Sequence, residues 1–83
     1  MPRVIVRYSI NREGGNQTGN AIRKAVGNYG VGRIGTGALE GEGSLDDMVN
    51  ALRDVLDLVE NPPGDGEVDH VWIYLDNPPP DSN

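Results

Sequence analysis

The spacing of apolar residues along this chain switches between a period of two and a helical period, and this order constrains the fold more than any other feature. Over residues 3–10, apolar residues recur at every second position: Val4, Val6, Tyr8 and Ile10. A period of two with β-branched residues predicts a strand whose Val4 face points to the core. The opposite face carries two arginines around one isoleucine, so we expect it to meet solvent or a partner.

Helical spacing follows after a glycine-containing loop. An apolar stripe predicts a helix that ends near Asn28, with Thr18 or Asn16 as its N-cap. The glycine-rich segment after it still alternates, which favours two short strands over residues 31–36 and 37–42, joined by a tight bend. The glycines there do not have the spacing of a phosphate-binding loop.

Residues 44–60 form the most regular helical pattern. Ser44 is the predicted N-cap, and Asp46 and Asp47 lie in the first turn, where negative charge suits the helix dipole. The apolar residues repeat at intervals of three and four, which predicts one continuous core stripe. The residues of this stripe are Leu45, Met48, Val49, Leu52, Val55, Leu56 and Val59.

The last alternating segment, residues 70–75, predicts a strand with Trp72 and Tyr74 on its outward face. The residues predicted to face inward are Val71, Ile73 and Leu75. Exposed aromatic area on a sheet is typical of a partner surface, so we expect Trp72 and Tyr74 to form a dimer interface.

The predicted order is βαββαβ. Right-handed connections arrange these elements as an α+β, ferredoxin-like domain, a four-stranded antiparallel sheet with both helices on one face. We expect this single domain to span residues 1–76 and the proline-rich tail, residues 77–83, to be extended or disordered.

The composition excludes several classes of function. The chain of 83 residues has no cysteine and one histidine, so it has no disulfide, thiolate zinc site or multi-histidine metal site within one copy. A core this small makes self-association a reasonable expectation. No apolar run is long enough for a membrane span or a signal peptide, so we expect a cytoplasmic protein without membrane contact.

Charge divides the chain into two halves. The net charge is -6, but residues 1–42 carry six basic and three acidic side chains, a net +3, whereas residues 43–83 carry one basic and ten acidic, a net -9. The overall balance argues against tight nonspecific binding to phosphate backbones, although arginines that share a surface could still form a local basic patch.

Residues of catalytic type give little by themselves. His70, beside Asp69 at a strand end, has the sequence context of an ordinary surface residue. The paired carboxylates of the second helix are best explained as solubilising charge. Nothing in the sequence positions a serine, histidine and aspartate as a triad.

Three segments in order resemble the small CRISPR-associated adaptation protein, the nuclease-fold partner of the CRISPR integrase. They are residues 6–11 (VRYSIN), residues 29–41 (YGVGRIGTGALEG) and residues 70–74 (HVWIY). The most specific is the middle one, whose Tyr-Gly, Arg-Ile and Glu-Gly pairs have the spacing of that family. Its phenylalanine is replaced here by Leu39.

The resemblance implies a homodimer that contacts nucleic-acid backbone, DNA or RNA, and the CRISPR integrase, in antiviral defence. Many members also cleave phosphodiesters with Mg²⁺ or Mn²⁺, held by an aspartate at the end of the first strand of each protomer. Ser9 stands at that position here, and Asn11 nearby is also neutral. A hydroxyl is a poorer ligand than a carboxylate for a hard cation, so we expect a scaffold without nuclease activity.

The predicted nucleic-acid contacts are Arg7, Arg12 and Arg33, with Arg3 and Arg23 behind them. Two alternatives stay open. One is a metal-dependent endonuclease or endoribonuclease of the same fold, and the other is a small, non-enzymatic protein-interaction module.

Overall fold

A computed structural model describes residues 1–11, 17–64 and 66–77. Its elements are β1 (Arg3–Asn11), α1 (Gln17–Gly27), β2 (Val31–Gly35), β3 (Ala38–Glu42), α2 (Leu45–Glu60) and β4 (Glu67–Asp76). Each of the six predicted elements is present, with bounds within a few residues of those expected. Residues 78–83 of the predicted tail lie outside the described residues.

The four strands form one antiparallel sheet in the order β2-β3-β1-β4. The predicted α+β class, with a four-stranded antiparallel sheet and two helices, is confirmed. This arrangement is compatible with a ferredoxin-like fold.

The core lies between one face of the sheet and the two helices. Val6 and Leu39 are partners in the β1–β3 ladder and therefore point to the same side, where they are buried with Ile22 of α1 and Met48 of α2. Both helices thus cover the same face. The remaining buried apolar residues are Val4, Val26, Val31, Ala51 and Val55.

The start of α2 agrees with the sequence pattern, but its buried face differs in part. The Ser44 hydroxyl accepts a hydrogen bond from the Asp47 backbone N–H at 3.1 Å, which confirms the predicted N-cap. The predicted stripe is too wide, because its members Leu45, Val49 and Leu56 are exposed. Ala51, outside the stripe, is buried where α2 packs against the core.

The start of α1 corrects a prediction. Thr18 lies inside the helix and is fully buried, and its hydroxyl donates a hydrogen bond to the Gly66 carbonyl oxygen at 3.0 Å. It therefore connects α1 to the segment before β4 instead of capping the helix. The other predicted cap, Asn16, lies outside the described residues.

A two-residue bend, Thr36 and Gly37, joins β2 to β3 as predicted. Gly37 has a φ of +64°, in the left-handed region that favours glycine. Its carbonyl oxygen accepts a hydrogen bond of 2.9 Å from the Tyr8 backbone N–H, so the bend is held against β1.

The inward face of β4 is less covered than the sequence predicts. Val71 is half-buried against the core, but Ile73 and Leu75 are exposed, so their predicted burial is wrong. Ile73 does face the helix side, because it pairs with Val6. The reason for its exposure is that β4 is the last strand of the sheet and α2 packs more extensively on α1 than on β4.

Candidate functional site on the uncovered sheet face

The sheet face opposite the helices is not covered by the described part of the chain. On this face Arg7 of β1 lies directly beside Trp72 of β4, and Ile5 lies beside Tyr74. The Trp72 residue is 73% exposed and Tyr74 51% exposed, consistent with the predicted outward direction of both. A large aromatic surface therefore lies next to a guanidinium group.

The same face brings Ser9 and His70 together across 61 residues of sequence. The two are partners in the β1–β4 ladder, and the Ser9 Oγ lies 3.5 Å from the His70 Nδ1. The ladder shifts register immediately after Ser9, where Ile10 pairs with Val68 and Asp69 is the additional residue. Ser9 and His70 are thus the last regular pair at this end.

These side chains line a shallow depression of about 280 Å³, formed by Arg7, Tyr8, Ser9, His70 and Trp72. The depression combines a guanidinium, a hydroxyl and an imidazole with an indole. The first three can donate hydrogen bonds to an anion, and the fourth offers a flat apolar surface.

A second depression, of about 450 Å³, adjoins the first at Tyr8 and Ser9. It is lined by two further arginines, Arg23 of α1 and Arg33 of β2. The Arg33 Nε donates to the Gly35 carbonyl oxygen at 3.3 Å, and Arg23 donates to the Asn20 side chain.

The predicted basic contacts are therefore partly brought together. Arg7 and Arg33 line adjoining depressions at one end of the sheet, with Arg23 beside Arg33. They lie on opposite faces, because Arg33 pairs with the buried Leu39 and therefore lies on the helix side. Arg12 lies outside the described residues.

Arg3 lies at the opposite end of the uncovered face, between two carboxylates. Its guanidinium is 3.9 Å from a Glu40 oxygen and 3.6 Å from an Asp76 oxygen. These side chains are all more than a third exposed, so the pairs add little to stability. They do balance the charge at that end, whereas no acidic side chain of the described residues lines the two depressions at the Ser9 end.

The residues around Ser9 do not fit Mg²⁺ or Mn²⁺. Both cations prefer carboxylate and carbonyl oxygens, and the first depression offers a hydroxyl, an imidazole and a guanidinium whose positive charge opposes cation binding. In the ranges 1–11, 17–64 and 66–77, no three of the acidic and histidine side chains form a group that could hold a metal ion.

The Ser9–His70 pair places a hydroxyl beside a possible general base, which sequence reasoning did not find. Their 3.5 Å separation is longer than an activated nucleophile requires, and both residues are exposed. Within the described part of the chain the His70 ring has no second hydrogen-bond partner to orient it. The geometry suits binding of an anion better than attack on a substrate.

Comparison with known proteins gives no relative. No family model matches the chain, and the comparisons with curated proteins and with solved structures found no match. The resemblance to CRISPR-associated adaptation proteins stays a prediction.

Among the described helices, none has both the length and the apolar content to cross a membrane.

Proposed function

We propose that this protein is a non-enzymatic, dimeric module of ferredoxin-like fold that binds single-stranded nucleic acid on its uncovered sheet face. The observation that carries the proposal is the juxtaposition of Trp72 with Arg7, Ser9 and His70 in one depression. An exposed indole stacks on unpaired bases of any sequence, and neighbouring cationic and hydroxyl groups bind the phosphates between them.

The aromatic surface favours single strands over a duplex. Bases in a duplex stack on each other and present only their edges and the backbone, so Trp72 would find no base face to cover. The adjoining depression with Arg23 and Arg33 extends the cationic surface around the end of the sheet. A nucleic-acid strand that contacts both Arg7 and Arg33 must pass around this end of the sheet, from the uncovered face to the helix side.

The overall charge of -6 limits the affinity. The acidic second half repels phosphates, so even at low salt we expect dissociation constants on the order of 10⁻⁵ M, a range typical of nonspecific binding at physiological salt. Binding without cleavage agrees with the neutral Ser9 at the position where the resemblance would require a carboxylate. Partnership with a CRISPR integrase and a role in antiviral defence are part of this proposal only through that resemblance.

Trp72 is the only tryptophan of the chain, so its fluorescence reports directly on the proposed site. Titration with single-stranded oligothymidylate and oligouridylate should quench the emission, whereas a duplex of equal length should quench it much less. The logarithm of the binding constant should fall with the logarithm of salt concentration by about 0.7 for each phosphate contact.

Substitutions test whether oligonucleotide binding depends on the residues of the proposed site. With labelled oligonucleotides, Trp72→Ala should weaken binding about tenfold, consistent with the loss of one stacked base. Arg7→Ala should weaken binding and reduce the salt slope by about 0.7, since one phosphate contact is lost. The matched control is Arg53→Ala, which removes an exposed arginine of α2. It should leave the affinity and the salt slope unchanged.

Three results would contradict the proposal. Absence of binding to either oligonucleotide at low salt would favour a protein-interaction module. Equal losses of affinity for Arg7→Ala and Arg53→Ala would show that binding depends on overall charge and not on a defined site. Cleavage of the oligonucleotides with Mg²⁺ or Mn²⁺, blocked by EDTA and lost in Ser9→Ala, would make the protein a nuclease.

A further inference from the structure

The outer edge of β4 has the features of a strand that pairs with another chain. In the described part of the chain β4 is the last strand of the sheet, and its ladder with β1 is regular from His70 to Asp76. This stretch contains no lysine or proline and carries apolar side chains on both faces. The outer backbone N–H and C=O groups of such a long edge strand can form hydrogen bonds with a strand of another chain.

We propose that a second copy of this chain pairs with β4 in antiparallel orientation, about a two-fold axis at Ile73. The inference rests on the proposed function only for the existence of a homodimer. Such an axis, perpendicular to the sheet, joins two four-stranded sheets into one of eight strands. It also keeps each side chain on its own face, so residues of the same face become partners.

The side chains match in this register. Ile73 opposes Ile73 of the second copy, and Trp72 opposes its Tyr74. Val71 then opposes Leu75, and His70 opposes Asp76. Every apolar residue therefore has an apolar partner. Asp76, the one acidic residue of the stretch, lies opposite the His70 imidazole, which can donate a hydrogen bond and carry positive charge.

Neighbouring registers match less well. With the axis at Trp72, Asp69 opposes Leu75 of the second copy. With the axis at Tyr74, Asp76 opposes Trp72, and His70 and Val71 lose their partners. Only the axis at Ile73 uses the whole regular stretch, because His70 and Asp76 are equally far from it. Register is thus specified by charge and by length.

This pairing leaves the uncovered sheet faces of both copies on the same side. Trp72 and Tyr74 of the two copies then form a continuous aromatic group of four side chains at the centre. An Arg7 lies beside each Trp72, so the cationic groups flank the aromatic surface diagonally. A dimer formed by stacking the two uncovered faces would instead bury Trp72 against the partner.

Cysteine cross-linking tests the register, since the natural chain has no cysteine. In Ile73→Cys the two introduced residues oppose each other, with Cα atoms about 4.5 to 5.5 Å apart, and this separation permits a disulfide. Mild oxidation of dilute protein should give a disulfide-linked dimer as the major species. Mixed Trp72→Cys and Tyr74→Cys chains should cross-link to each other more than either does to itself.

The matched controls are Ile34→Cys on the other edge of the sheet and Leu56→Cys on α2. Both positions are exposed, Ile34 by 57% and Leu56 by 48%. They should give only traces of dimer, which measure random collision. Circular dichroism under reducing conditions checks that each variant folds, and if Ile73→Cys does not, the mixture of Trp72→Cys and Tyr74→Cys decides.

The outcomes separate this inference from the proposed function. A dimer by sedimentation, with Ile73→Cys no better cross-linked than the controls, would overturn the β4 pairing and retain the homodimer. A monomer at all concentrations would overturn both the pairing and the dimer. Quenching of Trp72 by oligonucleotides is measured independently, so its loss affects only the nucleic-acid proposal.

Discussion

The two edges of the sheet differ in their capacity to accept another strand. The β2 edge is five residues long, includes Gly32 and Gly35, and has an irregular ladder between Arg33 and Gly35. The β4 edge is ten residues long, regular over seven of them and rich in β-branched and aromatic residues. Short length, glycine and irregularity weaken strand pairing, so β2 is the protected edge and β4 the available one.

This difference determines which assembly is possible. A sheet with two available edges can add copies without limit, as fibres do. With one available edge, antiparallel pairing of β4 with itself occupies that edge in both copies, and assembly stops at two. If β4 pairs as proposed, the asymmetry between β2 and β4 limits the assembly to a closed dimer.

The strongest test of the comparison places a charge on each edge. Each edge has an exposed isoleucine, Ile73 on β4 and Ile34 on β2. Ile73→Lys puts two ammonium groups opposite each other at the axis, where like charges cost several kcal/mol, so the dimer dissociation constant should rise at least about a hundredfold. Sedimentation equilibrium measures this change.

The matched variant Ile34→Lys carries the same charge and should leave dimerisation unchanged. If Ile34→Lys weakened the dimer as much as Ile73→Lys, then β2 or the uncovered face would belong to the interface. The proposed distinction between the two edges would then be wrong.

A smaller effect is expected when a glycine of β3 that lies against β2 is replaced. A Cβ atom on Gly41 of β3 would lie 2.6 Å from the Val31 Cα and 2.7 Å from the Gly30 carbonyl oxygen. Gly41→Ala must therefore push β2 away, and we expect it to lower the free energy of unfolding by about 2 kcal/mol. Urea denaturation measures the loss.

Gly32→Ala is the control, because a Cβ on this β2 residue meets nothing within 4 Å. It should leave stability nearly unchanged or raise it slightly, since alanine restricts the unfolded chain. Equal losses at Gly41 and Gly32 would show that the close approach of β2 to β3 is not what requires glycine.

The fold was predictable where a local sequence pattern is compatible with only one kind of secondary structure. Alternation in β1 predicted its buried and exposed faces, and Ser44 before a helical stripe predicted the start of α2. Burial within α2 was less predictable. An apolar stripe as wide as this one can be only partly covered by a small sheet and one neighbouring helix, so Leu45 and Leu56 remain exposed.

The candidate site was less predictable than the fold. Arg7 and Trp72 could be assigned to outward faces, but their contact depends on the register between the first and last strands. The approach of Ser9 to His70 depends on the same register and on the irregularity beside it. The spacing of neighbouring residues contains no information about either contact, because Ser9 and His70 are 61 positions apart and Arg7 and Trp72 are 65 apart.

Site-resolved amide hydrogen exchange of the unaltered protein tests the β4 pairing most directly, with Ile73→Lys as the monomeric reference. Alternate amides of a strand point away from its neighbour, so those of residues 70–76 that do not bond to β1 become protected only when a second β4 adds. We predict that they exchange more slowly as protein concentration rises, while the outward amides of β2 exchange at a constant rate. Equal exchange at both edges, or β4 exchange independent of concentration and of Ile73→Lys, would contradict the account.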